Sequence, residues 1–321
     1  MRSLAATRRL VSLQRRDFSN NFRIVEVGAR DGLQNEKNFV PTETKLELIN
    51  RLAESGLKTI EVTSFVAPKW VPQMADHKEI VKKIRRLDGV SYPVLVPNLK
   101  GLESAIATGK VDEIALFVAA SDAFNKKNIN CTTDESVQRA AEVAKAALKE
   151  GIRVRGYIST VIGCPYQGDT DPREVLKLSE QLLQMGCYEI SLGDTIGVGT
   201  PGSVAKLLDA LKGGVPFEKL AVHFHDTFGQ ALANTVVSIE KGIRVADSSI
   251  AGLGGCPYAK GATGNLATED LAYMLNGMGL NTGVDLGKLV ETGQWICEKM
   301  GRQNSSRAAS AILNKQAKQK C

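Results

Sequence analysis

From Phe22 onward one unit recurs along the chain: a short run of β-branched and apolar residues, then a longer stretch with apolar residues at helical spacing. The short runs are "FRIVEV", "TIEVTS", "YPVLVP", "EIALFVA", "RVRGYIST", "YEISLG", "LAVHFH" and "VADSSIAG". Between them lie helical patterns. One opens near Thr42 after Pro41, with Leu46, Ile49, Leu52 and Ala53 on one face. "DESVQRAAEVAKAALKEG" and "DPREVLKLSEQLLQMG" run to Gly151 and Gly186, and a glycine just past the last turn stops a helix. Eight strand–helix units over about 250 residues is the pattern of a (β/α)8 barrel. A doubly wound sheet usually has fewer strands, and its first turn often carries G-x-G-x-x-G, which "VEVGARDG" does not read. The expected class is therefore α/β, a (β/α)8 TIM barrel over residues 22–298 with short extra C-terminal helices. Residues 299–321 turn polar and basic and form a tail with one weak helix.

The rest of the composition narrows the class without naming a chemistry. Hydrophobic residues make up 43% of the 321-residue chain and charged ones 24%, ordinary values for a globular protein. No apolar run approaches the roughly 18 residues that a membrane-spanning helix needs. The opening "MRSLAATRRLVSLQRR" holds five arginines and no acid, with Leu4, Leu10, Val11 and Leu13 on part of one helical face. Such a leader reads as a mitochondrial transit peptide over residues 1–17 and places the protein in the matrix. Residues 1–17 contribute five arginines and Asp17, four of the six net positive charges, which leaves +2. That remainder gives no reason to expect a nucleic-acid or membrane partner. The six cysteines include no C-x-x-C pair, so neither a dense disulfide scaffold nor a zinc ribbon is expected. Most of them read as small buried apolar residues.

In a barrel of this type, strand C-termini and the loops that follow build the active site at one rim. Several polar residues fall at those positions. Arg30 and Asp31 follow strand one, and Glu61 lies in strand two. Asp194 ends strand six, His223 and His225 end strand seven, and Asn265 follows strand eight. In "VHFHD" the two histidines have a single residue between them, so a strand projects both rings to one face. Two imidazoles, the Asp31 carboxylate and an amide oxygen make a mixed nitrogen and oxygen donor set. Without thiolates it suits Mg²⁺, Mn²⁺ or a similar divalent cation. Arg30 is suited to a developing enolate or carboxylate oxygen, or to a salt bridge with Asp31 or Glu61. Glu61 and Asp194 are candidates for positioning Arg30 or a substrate hydroxyl. "AGLGGCPYAKGATGN" reads as a mobile glycine-rich loop, in which Cys256 is placed to move a proton or simply to pack. His77, in the charged stretch "MADHKEI", reads as a surface histidine.

Five segments together carry a resemblance: "VEVGARDGLQNEK", "TSFVAPKWVPQMAD", "SLGDTIGVGTPG", "HFHDTFGQALANT" and "AGLGGCPYAKGATGNLATEDL". From about Ile24 to Glu298 the chain resembles the 3-hydroxy-3-methylglutaryl-CoA lyase family. That family belongs to a superfamily of metal-dependent TIM-barrel enzymes that also holds the isopropylmalate and homocitrate synthases. The first and fourth segments are shared in outline across the superfamily, whereas the cysteine loop is more specific to the lyases. The resemblance implies cleavage of the acyl-CoA substrate to acetyl-CoA and acetoacetate. It implies Asp31, His223, His225 and Asn265 as ligands of Mg²⁺ or Mn²⁺, and Arg30 as the contact to substrate and enolate. It also implies Cys256 as the catalytic thiol and Glu61 and Asp194 as supporting acids, with Asp31 or His223 as the base. A homodimer is expected, with Cys321 a candidate for a disulfide between subunits. A Claisen-type synthase would share the ligands and Arg30 but has no evident need of Cys256.

Overall fold

The computed structural model describes residues 20–36, 38–255 and 264–319. The expected transit peptide, Cys256 and Cys321 lie outside them. Strand β1 (Arg23–Glu26) runs into a π-helical turn (Gly28–Gly32) and helix α1 (Thr42–Glu54). Strand two comes as two pieces, β2 (Thr59–Ile60) and β3 (Thr63–Ser64), and is followed by α2 (His77–Lys83). Then come β4 (Val94–Leu95), α3 (Leu99–Ile106), β5 (Glu113–Ala119), α4 (Asp122–Ile129) and α5 (Thr133–Lys149). Strand β6 (Arg153–Ser159) leads to a small hairpin, β7 (Gly163–Cys164) with β8 (Gly168–Asp169), and then to α6 (Pro172–Gln184). The series closes with β9 (Glu189–Asp194), α7 (Pro201–Leu211), β10 (Leu220–Phe224), α8 (Ala231–Lys241), β11 (Val245–Ser248), α9 (Thr268–Gly277), α10 (Leu286–Met300) and α11 (Arg307–Gln319).

All strands but the hairpin join in parallel in the order β2-β1-β11-β10-β9-β6-β5-β4-β3. Because β2 and β3 are halves of one strand, the sheet closes on itself there. Across the break the Glu61 N–H donates to Glu26 O at 2.8 Å and the Val62 N–H to Pro93 O at 3.0 Å, so both neighbours are still engaged. The barrel expected from the sequence is the one formed.

Helix α5 illustrates why the outer layer forms where it does. Thr132 and Glu135 make a reciprocal capping box, satisfying two N-terminal N–H groups at once. Val137, Ala140, Val143, Ala144 and Ala147 then bury one face against the sheet, and Gly151 at φ 73° lets the chain turn into β6. Similar faces of the other helices supply the main apolar core between sheet and helices. Helix α10 contacts both α1 and α9, so it fills the ring beside strand one. The C-terminal segment also docks. Ser306 Oγ and the Ala308 N–H both donate to Asp270 at 2.7 Å, and Ala309 is buried. Among the described residues no helix is long and apolar enough to cross a membrane.

Cys131, Cys164, Cys187 and Cys297 are free and buried, as composition suggested. His77, by contrast, is not a surface residue. It is 8% exposed, its Nδ1 sits 2.7 Å from Met74 O, and its ring packs 4.6 Å from that of Phe65. Of the charges around it, Lys78 and Glu79 are exposed and Asp76 pairs with buried Lys45 at 2.9 Å, while His77 opens the helix on its inner side.

Candidate active site

The barrel interior is partly polar, and period-two alternation along the strands puts it there. Arg155 and Tyr157 on β6, Glu189 and Ser191 on β9, His223 on β10 and Asp247 on β11 hydrogen-bond to one another or to Glu61 across the barrel. From the interior outward, Arg155 joins Glu189 (2.8 Å) to Asp247 (2.7 Å), and Asp247 accepts from Ser191 Oγ (2.7 Å) and meets His223 Nδ1 (3.2 Å). Above this lies Glu61, fully buried, which takes Arg30 Nε on one oxygen and the Tyr157 hydroxyl on the other, the latter at 2.8 Å. Arg30 Nη1 donates to Asp31 Oδ1 at 2.6 Å.

Arg30 and Asp31 point inward because they sit on the π-helical turn. The N–H groups of Arg30, Asp31 and Gly32 all converge on Val27 O, a tight coil that packs against the loop after β11. Asp31, His223 and His225 then come together, one donor atom from each lying within 4.8 Å of the others. Asn265 forms a bridge with His225 and donates through Nδ2 to Asp31 Oδ2 at 2.9 Å. Thus Arg30, Asp31, Glu61, His223, His225 and Asn265 gather at one mouth. Asp194 lies near enough to His223 to feel its charge, though no hydrogen bond among the described residues joins it to this group. Its two oxygens accept the N–H groups of Val198 (3.2 Å) and Gly199 (2.7 Å), which tie the carboxylate to the turn after β9.

The electrostatics follow from crowding charges in a buried place. Burial alone would raise the Asp31 carboxyl, but Arg30, His223 and His225 outweigh it and bring it down to about 2. Burial, and then His223, push His225 down to about 4, so its ring is neutral with a lone pair to offer. Burial opposes the charge on Arg30, and Glu61 and Asp31 restore it and hold the group above its ordinary value. Burial raises Asp194, a shift that the Gly199, Val198 and Gly197 N–H groups and the charge of His223 partly offset.

These residues fit a divalent cation. His225 Nδ1 and Asn265 Oδ1 are buried and have no hydrogen-bond partner among the described residues, beside an ionised carboxylate. Unpartnered buried acceptors are costly, and a cation is one way to satisfy them. Beside the mouth a cleft of about 570 Å³ opens between Asn35, Asn38, Phe39, Gly254, Gly255 and Lys299.

Asp247, Tyr157, Arg155 and Ser191 were not foreseen as site residues. Their signal was present as polar side chains at alternate positions in otherwise apolar strands, where an inward-facing charge demands a partner.

Residues 21–296 match the model of the HMGL-like family. The mitochondrial hydroxymethylglutaryl-CoA lyase of Bos taurus is 59% identical over 92% of this chain and 90% of its own length. The cytoplasmic 3-hydroxy-3-methylglutaryl-CoA lyase of Mus musculus is 58% identical, covering 91% of this chain and 85% of that protein. The crystal structure of hydroxymethylglutaryl-CoA lyase from Pseudomonas aeruginosa superposes with a TM-score of 0.90 at 56% identity, covering 93% of this chain and 99% of that one. With the family's model matching nearly the whole barrel and such relatives matching along most of their own length, this chain belongs to the HMGL-like family.

Proposed function

We infer that this protein is a carbon–carbon lyase that cleaves 3-hydroxy-3-methylglutaryl-CoA to acetyl-CoA and acetoacetate. Beyond family membership, the observation that carries the reading is the meeting of Asp31, His223 and His225 at the mouth, with the Arg30 guanidinium on Asp31. Asp31, His223, His225 and Asn265 would hold the cation, and their nitrogen and oxygen donors suit Mg²⁺ or Mn²⁺. A cation held there would supply Lewis acidity, which would ease loss of the proton from the substrate's tertiary hydroxyl.

The chain's own residues supply the rest. Asp31 takes the hydroxyl proton; His223 could do so only while its Nε2 is not on the cation. The tertiary carbon becomes the ketone of acetoacetate as its bond to the thioester α-carbon breaks. That electron pair passes to the thioester as an enolate, whose oxygen Arg30 stabilises with a charge already oriented by Glu61 and Tyr157. Cys256 then gives its proton to the enolate carbon, completing acetyl-CoA, and recovers a proton equivalent to the one taken from the hydroxyl. Asp194 supports the site by fixing the turn after β9. The cleft beside the mouth has room for the pantetheine arm, with Lys299 at its wall. Residues 1–17 would direct the protein to the mitochondrial matrix, in keeping with the bovine relative's name; the murine relative's name is cytoplasmic. The working unit would be a homodimer, with Cys321 available for a disulfide between subunits.

A turnover assay on protein lacking residues 1–17 tests the reading, with 3-hydroxy-3-methylglutaryl-CoA and Mg²⁺, Mn²⁺ or EDTA. Acetoacetate should appear only with the metal and should collapse in Cys256→Ala. Well-folded, metal-loaded protein that makes none would overturn it. Import into isolated mitochondria with and without residues 1–17 checks the leader. Sedimentation with and without reductant, on wild type and Cys321→Ser, checks the dimer and its disulfide.

A further inference from the structure

We propose that Asp247 is a positioning residue for the cation site: it holds His223 by Nδ1 and so presents the other ring nitrogen, Nε2, to Asp31 and His225. The inference rests on the metal-site reading above. Neighbouring strands create the pairing. His223 on β10 and Asp247 on β11 are partners in the parallel register, and both side chains meet inside the barrel. A carboxylate can only accept, so the imidazole must donate from Nδ1 across their 3.2 Å contact. A neutral ring protonated at Nδ1 carries its lone pair on Nε2, the nitrogen left for a metal.

Asp247 is built to be immobile. It is 2% exposed, Arg155 grips both its oxygens at 2.7 and 3.3 Å, and Ser191 Oγ donates to Oδ2 at 2.7 Å. Arg155 is itself anchored by Glu189 at 2.8 Å. The Tyr157 ring stands edge-on to His223, centroids 6.1 Å apart and planes at 85°, and limits its rotation. A carboxylate needed only to neutralise Arg155 would not have to accept the histidine on the same oxygen that Ser191 fixes.

The protein has three histidines, so long-range proton–nitrogen spectra of ¹⁵N-histidine-labelled, metal-free protein are easily assigned with His223→Gln as reference. His223 should show the Nδ1–H tautomer. Mn²⁺ titration followed by electron paramagnetic resonance should give a dissociation constant at least tenfold higher in Asp247→Asn, with the tautomer signature lost or mixed. If Asp247→Asn strands the Arg155 charge and the single variant does not fold, the pair Arg155→Gln with Asp247→Asn removes both charges and is titrated instead. The wild-type tautomer needs no variant. An Nε2–H tautomer in the wild type, or unchanged Mn²⁺ affinity in a folded variant, overturns the proposal. Neither readout requires turnover, so failure here is separable from failure of the lyase reading, which would appear as metal-loaded protein that makes no acetoacetate.

Discussion

Arg30 is held on two sides, by Glu61 at Nε and by Asp31 at Nη1, while the Tyr157 hydroxyl fixes the far oxygen of Glu61. That arrangement uses the planar fork of a guanidinium, which a lysine ammonium cannot reproduce from one point charge. Arg30→Lys would keep the charge but lose the simultaneous contacts and the aimed N–H. Its kcat should fall on the order of a hundredfold, as for removal of an oriented oxyanion donor. Steady-state kinetics beside a melting curve decide it, and a folded Arg30→Lys enzyme within about threefold of wild type would mean that charge alone suffices. The sequence announced Arg30, Asp31 and the two histidines because such residues at strand ends have few other reasons to be there. It announced the Arg30–Glu61 pair but not Glu61's second partner, Tyr157. Tyr157 lies mid-strand, and only the closed barrel brings β6 opposite the break in strand two. Asp194 was equally visible, yet its use could not be read, because the N–H groups it accepts belong to a turn whose shape appears only on folding.

At the scale of elements, the alternation of strands and helices was legible because burial on both faces leaves continuous apolar runs in parallel strands. Lengths and breaks were less so. "YPVLVP" forms only the short β4, and "VADSSIAG" leaves the sheet after Ser248 to turn over the mouth, where Ala251 takes φ 54°. The π-helical turn was not foreseen either, and it depends on glycine. A Cβ at Gly28 would lie 2.6 Å from Glu26 Oε1, 2.9 Å from Ile250 Cγ2 and 3.1 Å from Ser249 Oγ. Those neighbours are buried, so Gly28→Ala should push the turn away from the strand-eight loop. The expected cost is about 1–3 kcal/mol of stability, as for other overpacked interiors. It should come with weaker Mn²⁺ binding, since Asp31 rides on the turn. Gly277→Ala, where nothing lies within 4 Å, is the control and should leave Mn²⁺ binding unchanged. Equal Mn²⁺ affinity in the two variants would show that the turn does not depend on close approach at Gly28.

Across the whole molecule, two buried carboxyls, Glu26 on β1 and Glu269 on α9, hold the loop between β11 and α9. Glu26 accepts the N–H groups of Gly28 (2.7 Å) and Ile250 (2.9 Å) on Oε1 and the Thr268 hydroxyl (2.6 Å) on Oε2. Glu269 accepts the Ala251 N–H with both oxygens. Burial raises Glu26 to about 7 and Glu269 to about 8, against partial relief from those hydrogen bonds. Both therefore favour the folded state most when protonated. Below the unfolded value of 4.5 both states hold the proton and the stabilisation is complete. As pH rises the unfolded chain releases its protons first, and stability drains away until the folded carboxyls ionise near 7 and 8. A tenfold difference in proton affinity between folded and unfolded chains is worth roughly 1.4 kcal/mol, so the two acids together can move the melting temperature by several degrees. Asp31, depressed to about 2, works in the opposite sense, its stabilisation being lost only as pH falls below the ordinary aspartate range. Metal-free protein in EDTA should therefore melt at progressively lower temperature from about pH 5 to about pH 8. Glu26→Gln keeps an oxygen for the two N–H groups, and its amide can donate to Thr268 if that hydroxyl turns toward Ser248, 2.8 Å away. The variant cannot titrate, so its melting temperature should fall less steeply over the same range. Wild-type and Glu26→Gln curves that run parallel would mean that Glu26 is already ionised throughout and that its partners, rather than its proton, hold it in the fold.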